Sequence, residues 1–231
     1  MSAAPTLRGE RACRGLAVLL LAAALAAGVV GCRQTTRDLP TLDAPVVLFF
    51  GDSITRGQGV PEEQAFPALL ERKLNDEGLD VRCINGGVSG DTTASALARV
   101  EPYAKAHPSV VVVELGANDA FRRINRLETQ RNLLAIVKTF SNAGARVIVA
   151  RTVFPQLEHP AYMLSMNRTV EGVASDTGAA FVPDLLAGVA GVADLNLPDG
   201  IHPNAEGHRY VAETVWPSVH AAVVAAESTT K

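Results

Sequence analysis

The chain has 231 residues, of which 48% are hydrophobic and 19% are charged, and its formal net charge at pH 7 is −3. This balance supplies enough apolar side chains for a buried core and excludes a wholly disordered chain. The sequence has no basic tract, which argues against a nucleic-acid partner. The length predicts one domain with some additional sequence.

The first 31 residues are typical of a bacterial export signal. Three arginines give a positively charged start, and an apolar run over residues 16–30 follows, which is too short for a comfortable membrane-spanning helix. The sequence VVGC at 29–32 resembles the lipobox of bacterial lipoproteins, in which the signal is removed before the cysteine and the thiol carries a diacylglycerol. We therefore expect a lipoprotein-type signal peptide over 1–31 and a lipid anchor at Cys32. An uncleaved anchor helix and an ordinary secretory signal are the alternatives.

The anchor predicts a lipoprotein of the cell envelope that faces the periplasm. Arg33 stands where many inner-membrane lipoproteins carry Asp, so the outer membrane is preferred, and a soluble periplasmic or secreted protein is the alternative. The polar stretch 33–44, together with the lipidated Cys32, is predicted to tether the domain to the lipid. Cys83 is then the cysteine left in the mature domain, and its apolar surroundings indicate a small core residue.

From residue 45 onward, strand and helix patterns alternate. Apolar runs predict strands over 46–50, 81–84, 110–115, 147–150 and 179–182, and apolar residues at helical spacing predict helices over 63–77, 92–106, 126–141, 162–176 and 203–219, with Asp91 capping the second helix. The β-branched run Val110–Leu115 is typical of a strand buried on both faces. This alternation predicts a parallel sheet covered by helices on both faces, in one domain over 45–222 with a flexible tail over 223–231.

Polar residues follow three of the predicted strands, at the sheet edge where open parallel sheets bind ligands. Ser53 follows the first strand in a Gly-Asp-Ser-Ile turn that could expose a nucleophile, although a capped turn is the alternative. The glycine-rich loop 85–93 follows the second strand and leads into a helix. Its backbone N–H groups could hold an oxyanion, and a phosphate cradle or a flexible loop is the alternative. Asn118 follows the third strand and offers a side-chain amide, although it is also a common turn residue.

Asp199 and His202 lie three residues apart in Asp-Gly-Ile-His-Pro, near the carboxyl end. At this spacing the carboxylate can hold the imidazole in one tautomer and leave the other ring nitrogen free as a base. A lone Asp-x-x-His is more often a solvated turn. The pair therefore indicates a catalytic site only in combination with the other three sites.

The four blocks together resemble those of the GDSL or SGNH hydrolases. They are Gly-Asp-Ser-Ile at 51–54, Ser-Gly-Asp-Thr at 89–92, Gly-Ala-Asn-Asp at 116–119 and Asp-Gly-Ile-His-Pro at 199–203, and the similarity extends over about 46–219. The sequence looks closest to the branch of bacterial thioesterase I, lysophospholipase L1 and arylesterase, although that branch often has a second Gly in place of Ala117. The resemblance implies an α/β fold, a flavodoxin-like three-layer α/β/α sandwich with a five-stranded parallel sheet.

The resemblance also implies a role for each site residue. Ser53 attacks the acyl carbonyl, His202 takes and returns the proton, and Asp199 orients His202. The N–H groups of Ser53 and Gly90 and the side chain of Asn118 form the oxyanion hole. The expected protein is a serine esterase that hydrolyses small-molecule or lipid acyl esters through an acyl-enzyme, without a metal or cofactor. A non-catalytic envelope lipoprotein that binds lipid or glycan in the same crevice, and a carbohydrate O-deacetylase, are the alternatives.

The substrate pocket depends on loops around 120–128 and 153–162. Phe121, Phe154 and Leu157 are candidates for an apolar groove or for the core, and Met163 and Met166 are predicted to be core residues that could touch an acyl chain. Asp52 and Asp119, which flank motif residues, are expected to hydrogen-bond the loops in place. Outside the cytoplasm an ester is a more natural substrate than an acyl-coenzyme A thioester.

Overall fold

A computed structural model of the chain describes residues 44–153 and 160–230. In this part of the chain, five strands form one parallel sheet in the order β2-β1-β3-β4-β5: β1 Val46–Gly51, β2 Arg82–Asn85, β3 Val110–Glu114, β4 Arg146–Ala150 and β5 Ala180–Val182. The predicted five-stranded parallel sheet is therefore confirmed. The strand order reverses between β1 and β3, and a reversal of this kind is where open α/β sheets bind ligands.

Helices of the described residues cover both faces of the sheet. They are α1 Ser53–Arg56, α2 Phe66–Asp76, α3 Thr93–Ala98, α4 Val100–Ala104, α5 Ala117–Phe121, α6 Arg126–Asn142, α7 Pro160–Thr177 and α8 Ala205–Thr230, with short 3₁₀ turns at Glu62–Gln64 and Ala193–Leu195. Alternate residues of β1 point to opposite faces. Val47 and Phe49 pack with α2 and α8, whereas Leu48 and Phe50 pack with α3, α4, α6 and α7. The predicted three-layer sandwich is confirmed.

Burial agrees with the strand pattern. All five residues of β3 are buried, as the uninterrupted β-branched run predicted. Cys83 on β2 packs against the core beside α2, and burial raises the pKa of its thiol, which suits a packing residue and not a nucleophile. Among residues 44–153 and 160–230, no helix combines the length and apolar character needed to cross a membrane.

The helix predicted over 92–106 is divided at Arg99 into α3 and α4. A continuous helix would place Pro102 in its interior, where proline lacks the N–H that the Ala98 carbonyl needs. The break moves Pro102 into the first turn of α4, where no such bond is required. Thr92, and not Asp91, caps α3, through a reciprocal pair of bonds with Ser95.

The closing helix begins and ends later than predicted. It starts at Ala205 because Pro203 pairs with Asn196 in an isolated bridge, and it continues to Thr230. The prediction that a flexible tail starts at residue 223 is therefore wrong, because this residue lies within the helix. Val223 is fully buried on the same helix face as Val219, four residues earlier, so the apolar stripe that docks α8 on the sheet extends one turn further.

Candidate active site

Ser53 lies on a tight turn between β1 and the single-turn helix α1. It is the first residue of α1, and the Asp52 side chain caps the helix by accepting a 3.0 Å hydrogen bond from the Ile54 N–H. Gly57, with a φ of +75°, ends the helix. This turn fixes the serine hydroxyl just beyond the sheet edge, half-buried and open to the crevice.

His202 connects Ser53 to Asp199. The His202 Nε2 atom lies 2.9 Å from the Ser53 Oγ atom, and the Nδ1 atom lies 2.7 Å from Asp199 Oδ2. Asp199 Oδ1 accepts further bonds from the backbone N–H groups of Ile201 and His202. Although partial burial acts to raise it, these hydrogen bonds lower the pKa of Asp199 to about 2. The structure thus joins the three predicted residues in one hydrogen-bonded chain with an ionised carboxylate at its end.

The predicted oxyanion donors lie on the segments that follow β1, β2 and β3, which are neighbours in the parallel sheet. Gly90 has a φ of +81°, and its N–H has no acceptor among the described residues. The Arg122 guanidinium donates to the Gly90 carbonyl at 2.9 Å and holds this loop in place. Asn118 donates one side-chain N–H to Asp52 Oδ2 at 3.0 Å, which leaves its second amide hydrogen available. The N–H of Ser53, at the start of α1, has no partner within that helix.

Asp119 connects the loops after β2 and β3, and Asp52 connects those after β1 and β3. The Asp119 carboxylate accepts bonds from the Thr93 N–H, the Thr93 hydroxyl and the Thr129 hydroxyl, which ties the start of α3 to α5 and α6. Asp52 bonds both Ile54 and Asn118. The expectation that Asp52 and Asp119 hold the motif loops by hydrogen bonds is confirmed.

Two residues at this edge were not predicted from sequence. Glu114 ends β3 with a fully buried carboxyl group, and its Oε2 atom accepts the Thr55 hydroxyl at 2.9 Å. Arg99 donates to Asp91 at 2.6 Å and to the Gly51 carbonyl at 3.1 Å, which links α4 to the end of β1. The available signal for Glu114 was one acidic residue closing an apolar strand, which by itself suggests only a strand end.

A small, narrow cavity with free space for about one water molecule lies between the end of β3 and α7, next to the turn that carries Asn118. Its lining is mainly apolar, with Leu115, Ala117, Ala120, Met163, Met166 and Val170 joined by the polar parts of Gly116, Arg151, Thr152 and Asn167. Met166 is buried, as predicted, and also faces this cavity, whereas Phe121 is 40% exposed. Phe154 and Leu157, the signal peptide, Cys32 and the tether lie outside the described residues.

Known proteins are similar to this chain in both sequence and fold. The GDSL-like Lipase/Acylhydrolase family model matches residues 49–210. Esterase TesA of Pseudomonas aeruginosa is 37% identical over 76% of this chain and 88% of its own length, and an arylesterase of Vibrio mimicus is 32% identical over 73% and 85%. Thioesterase 1/protease 1/lysophospholipase L1 of Escherichia coli K12 is 28% identical over 74% and 81%.

A crystal structure of TesA superposes on this fold with a TM-score of 0.74, at 36% identity, over 77% of this chain and 99% of the TesA chain. The relatives are those of the branch that the sequence motifs indicated. The chain belongs to the GDSL-like lipase/acylhydrolase family of ester hydrolases.

Proposed function

We propose that this acyl-ester hydrolase uses Ser53 as its nucleophile, His202 as its general base and acid, and Asp199 as the group that orients His202. The observation that carries the proposal is the unbroken hydrogen-bond chain from the Ser53 Oγ atom through both ring nitrogens of His202 to the Asp199 carboxylate. A serine hydroxyl becomes an effective nucleophile when a positioned base accepts its proton, and this chain supplies that base.

The reaction proceeds in two steps. In the first, Ser53 Oγ attacks the acyl carbon while its proton moves to His202 Nε2, and the tetrahedral intermediate collapses as His202 returns that proton to the leaving alcohol. This step forms an acyl-enzyme on Ser53. In the second step, a water molecule loses a proton to His202 and attacks the acyl carbon, which releases the carboxylic acid and restores the Ser53 hydroxyl.

The negative charge that develops on the carbonyl oxygen is held by the N–H groups of Ser53 and Gly90 and the second side-chain hydrogen of Asn118. The free Gly90 N–H, on a loop fixed by Arg122, supports this assignment. Preorganised donors of this kind stabilise the transition state more than the substrate, and loss of one costs on the order of 100- to 1,000-fold in turnover.

The substrate is proposed to be a carboxylic ester with a short apolar acyl group. The support is that the cavity between the end of β3 and α7 is lined mainly by apolar side chains and is narrow, which favours a small acyl group. The relatives are an esterase, an arylesterase and a thioesterase/lysophospholipase, so an aryl or lipid alcohol as the leaving group is consistent with their activities.

The test is hydrolysis of p-nitrophenyl esters from acetate to palmitate by the purified protein, beside Ser53→Ala. Ser53→Ala removes the nucleophile without disturbing the core, so we expect turnover to vanish while the thermal unfolding midpoint stays nearly unchanged. Turnover retained by the variant would overturn the serine mechanism.

The chain-length profile separates the remaining alternatives. Activity confined to acetyl esters, together with release of acetate from acetylated glycans, would replace the esterase assignment by a carbohydrate O-deacetylase. Failure of a fluorophosphonate to label Ser53 would favour the non-catalytic lipoprotein, but that alternative gives no account of the hydrogen bonds among Ser53, His202 and Asp199.

We also infer that Cys32 carries a lipid anchor that holds the domain at the periplasmic side of a membrane, preferably the outer one. The support is the VVGC sequence at 29–32 after a short apolar run. Expressed with its own leader in a Gram-negative host, the wild type is expected in the membrane fraction with a lipid mass on Cys32. Cys32→Ala is expected in the soluble fraction or as an uncleaved precursor, and an unmodified Cys32 in the wild type would refute the anchor.

A further inference from the structure

Two carboxyl groups meet in the protein interior directly beneath the nucleophile. Asp52 and Glu114 are 1% and 0% exposed. The Asp52 N–H points to Glu114 Oε2 at 3.4 Å, and the two carboxyl groups lie close enough for each to shift the pKa of the other. The residues are 62 positions apart, and the parallel pairing of Gly51 with Glu114 brings them together.

The surroundings of the pair do not supply a compensating cation. Among the described residues, His202 acts on Asp52 from the loop before α8, and Arg99, which reaches the neighbouring Gly51 carbonyl, is paired with Asp91. Two buried carboxylates this close cannot both be ionised at ordinary pH. The pair therefore retains a proton that the same residues lose in the unfolded chain.

The hydrogen bonds decide which residue keeps the proton. Asp52 accepts from the Ile54 N–H and from Asn118, and both bonds favour its ionised form. Glu114 Oε1 is buried and accepts no hydrogen bond from the described residues, so a proton on this oxygen gives it a role as a donor. Burial raises the pKa of Asp52 to about 6, and burial together with the Asp52 charge raises the pKa of Glu114 well above its usual value.

We propose that Asp52 and Glu114 form a positioning pair in which a neutral Glu114 carboxyl donates its proton to the ionised Asp52, and Asp52 in turn fixes the Asn118 amide for the oxyanion. The inference rests on the proposed function, because the oxyanion hole gives this orientation its purpose. A protonated Glu114 also accepts the Thr55 hydroxyl, so one carboxyl group holds both α1 and the end of β1 on β3.

Gly51 provides the space that the pair requires. A Cβ atom at this position would lie 2.1 Å from the Thr55 hydroxyl oxygen, 2.7 Å from the Glu114 carbonyl oxygen and 2.8 Å from Glu114 Oε2. A side chain at residue 51 would therefore occupy the path between Thr55 and Glu114. The glycine of the Gly-Asp-Ser motif thus leaves the space in which the buried carboxyl pair lies.

The test compares Glu114→Gln with Glu114→Leu in the full-length protein. Gln keeps one N–H donor for Asp52 and one oxygen acceptor for Thr55, so this variant is expected to retain most of the wild-type kcat. Leu keeps the volume without either bond, and a misplaced oxyanion donor is expected to lower kcat by about 10- to 100-fold with little change in KM. Equal losses in both variants would show that an ionised Glu114 is needed, and an unchanged kcat in Glu114→Leu would show that the pair positions nothing. Both results overturn the proposal.

A second measurement does not depend on activity or on the folding of Glu114→Leu. Because both carboxyl groups have raised pKa values when folded, the unfolded chain releases protons first, and the pair lowers stability as pH rises above about 4, the ordinary pKa of these groups. Glu114→Gln removes the Glu114 part of this effect, so its unfolding midpoint should fall less with rising pH than the wild-type midpoint. If the unfolding midpoints of the wild type and Glu114→Gln fall equally with pH, the two carboxyl groups do not share a proton and the proposal is refuted. Turnover that survives in Ser53→Ala would refute the proposed function instead. The comparison of the pH curves would still show whether the carboxyl pair holds a proton.

Discussion

At the scale of single residues, the Asp199 carboxylate is stabilised by hydrogen bonds that all come from its own turn of the chain. Asp199 accepts from the N–H groups of Ile201 and His202 and from the His202 ring, all within one turn. These bonds outweigh the effect of partial burial and lower the pKa of Asp199 to about 2. The Asp199 carboxylate, proposed above to orient His202, is therefore ionised well below neutral pH.

The same scale shows which site residues sequence can identify. Ser53, Asn118 and the Asp199–His202 pair were predictable because each follows a recognisable strand or forms a local motif, and parallel strands end at one sheet edge. The role of Glu114 was not predictable, because its partner Asp52 is distant in the chain and the contact depends on the register between β1 and β3. Pattern reasoning identifies residues at loops, but it does not reveal which buried side chains meet beneath them.

At the scale of elements, predictions held where one apolar pattern covered a whole element. Each predicted strand was found with its bounds shifted by no more than one residue, because the short apolar runs end at turn residues or at a change to polar residues. The single-turn helices α1 and α5 were missed, since four or five residues are too few to show a helical period. The break at Arg99 depends on Pro102, whose effect is hidden within an otherwise continuous helical pattern.

The last turns of α8 provide a test of the corrected boundary. Val223 is fully buried against the sheet, whereas its neighbour Val224 is 41% exposed. Val223→Ala removes two buried methyl groups and is expected to lower the free energy of unfolding by about 1 to 3 kcal/mol. Val224→Ala, the matched control, is expected to change it by less than about 0.5 kcal/mol. Urea denaturation monitored by circular dichroism measures both changes. Equal changes in the two variants would mean that residues 223–230 form a tail that does not pack on the domain.

At the scale of the whole molecule, the buried ionisable groups respond to pH in opposite directions. The Asp52–Glu114 pair binds protons more tightly in the folded state, so it favours folding as pH falls. His208 on α8 is fully buried and stacks on Phe66, and neither ring nitrogen has a partner among the described residues. Burial, reinforced by the charge of His202, lowers the pKa of His208 to about 4, so this residue opposes folding as pH falls.

The contribution of His208 can be isolated with His208→Leu. Between pH 6.5, the ordinary pKa of histidine, and about 4, the unfolded chain takes up a proton that the folded chain refuses, so the wild type loses up to about 3 kcal/mol of stability over this range. The leucine variant lacks this group, whereas the carboxyl pair acts equally in both proteins. Thermal unfolding from about pH 7 down to about pH 4 should therefore show a steeper fall in the wild-type midpoint. If the midpoints of both proteins fall equally with pH, His208 must be protonated inside the folded protein. The fold would then have to provide a partner for that charge.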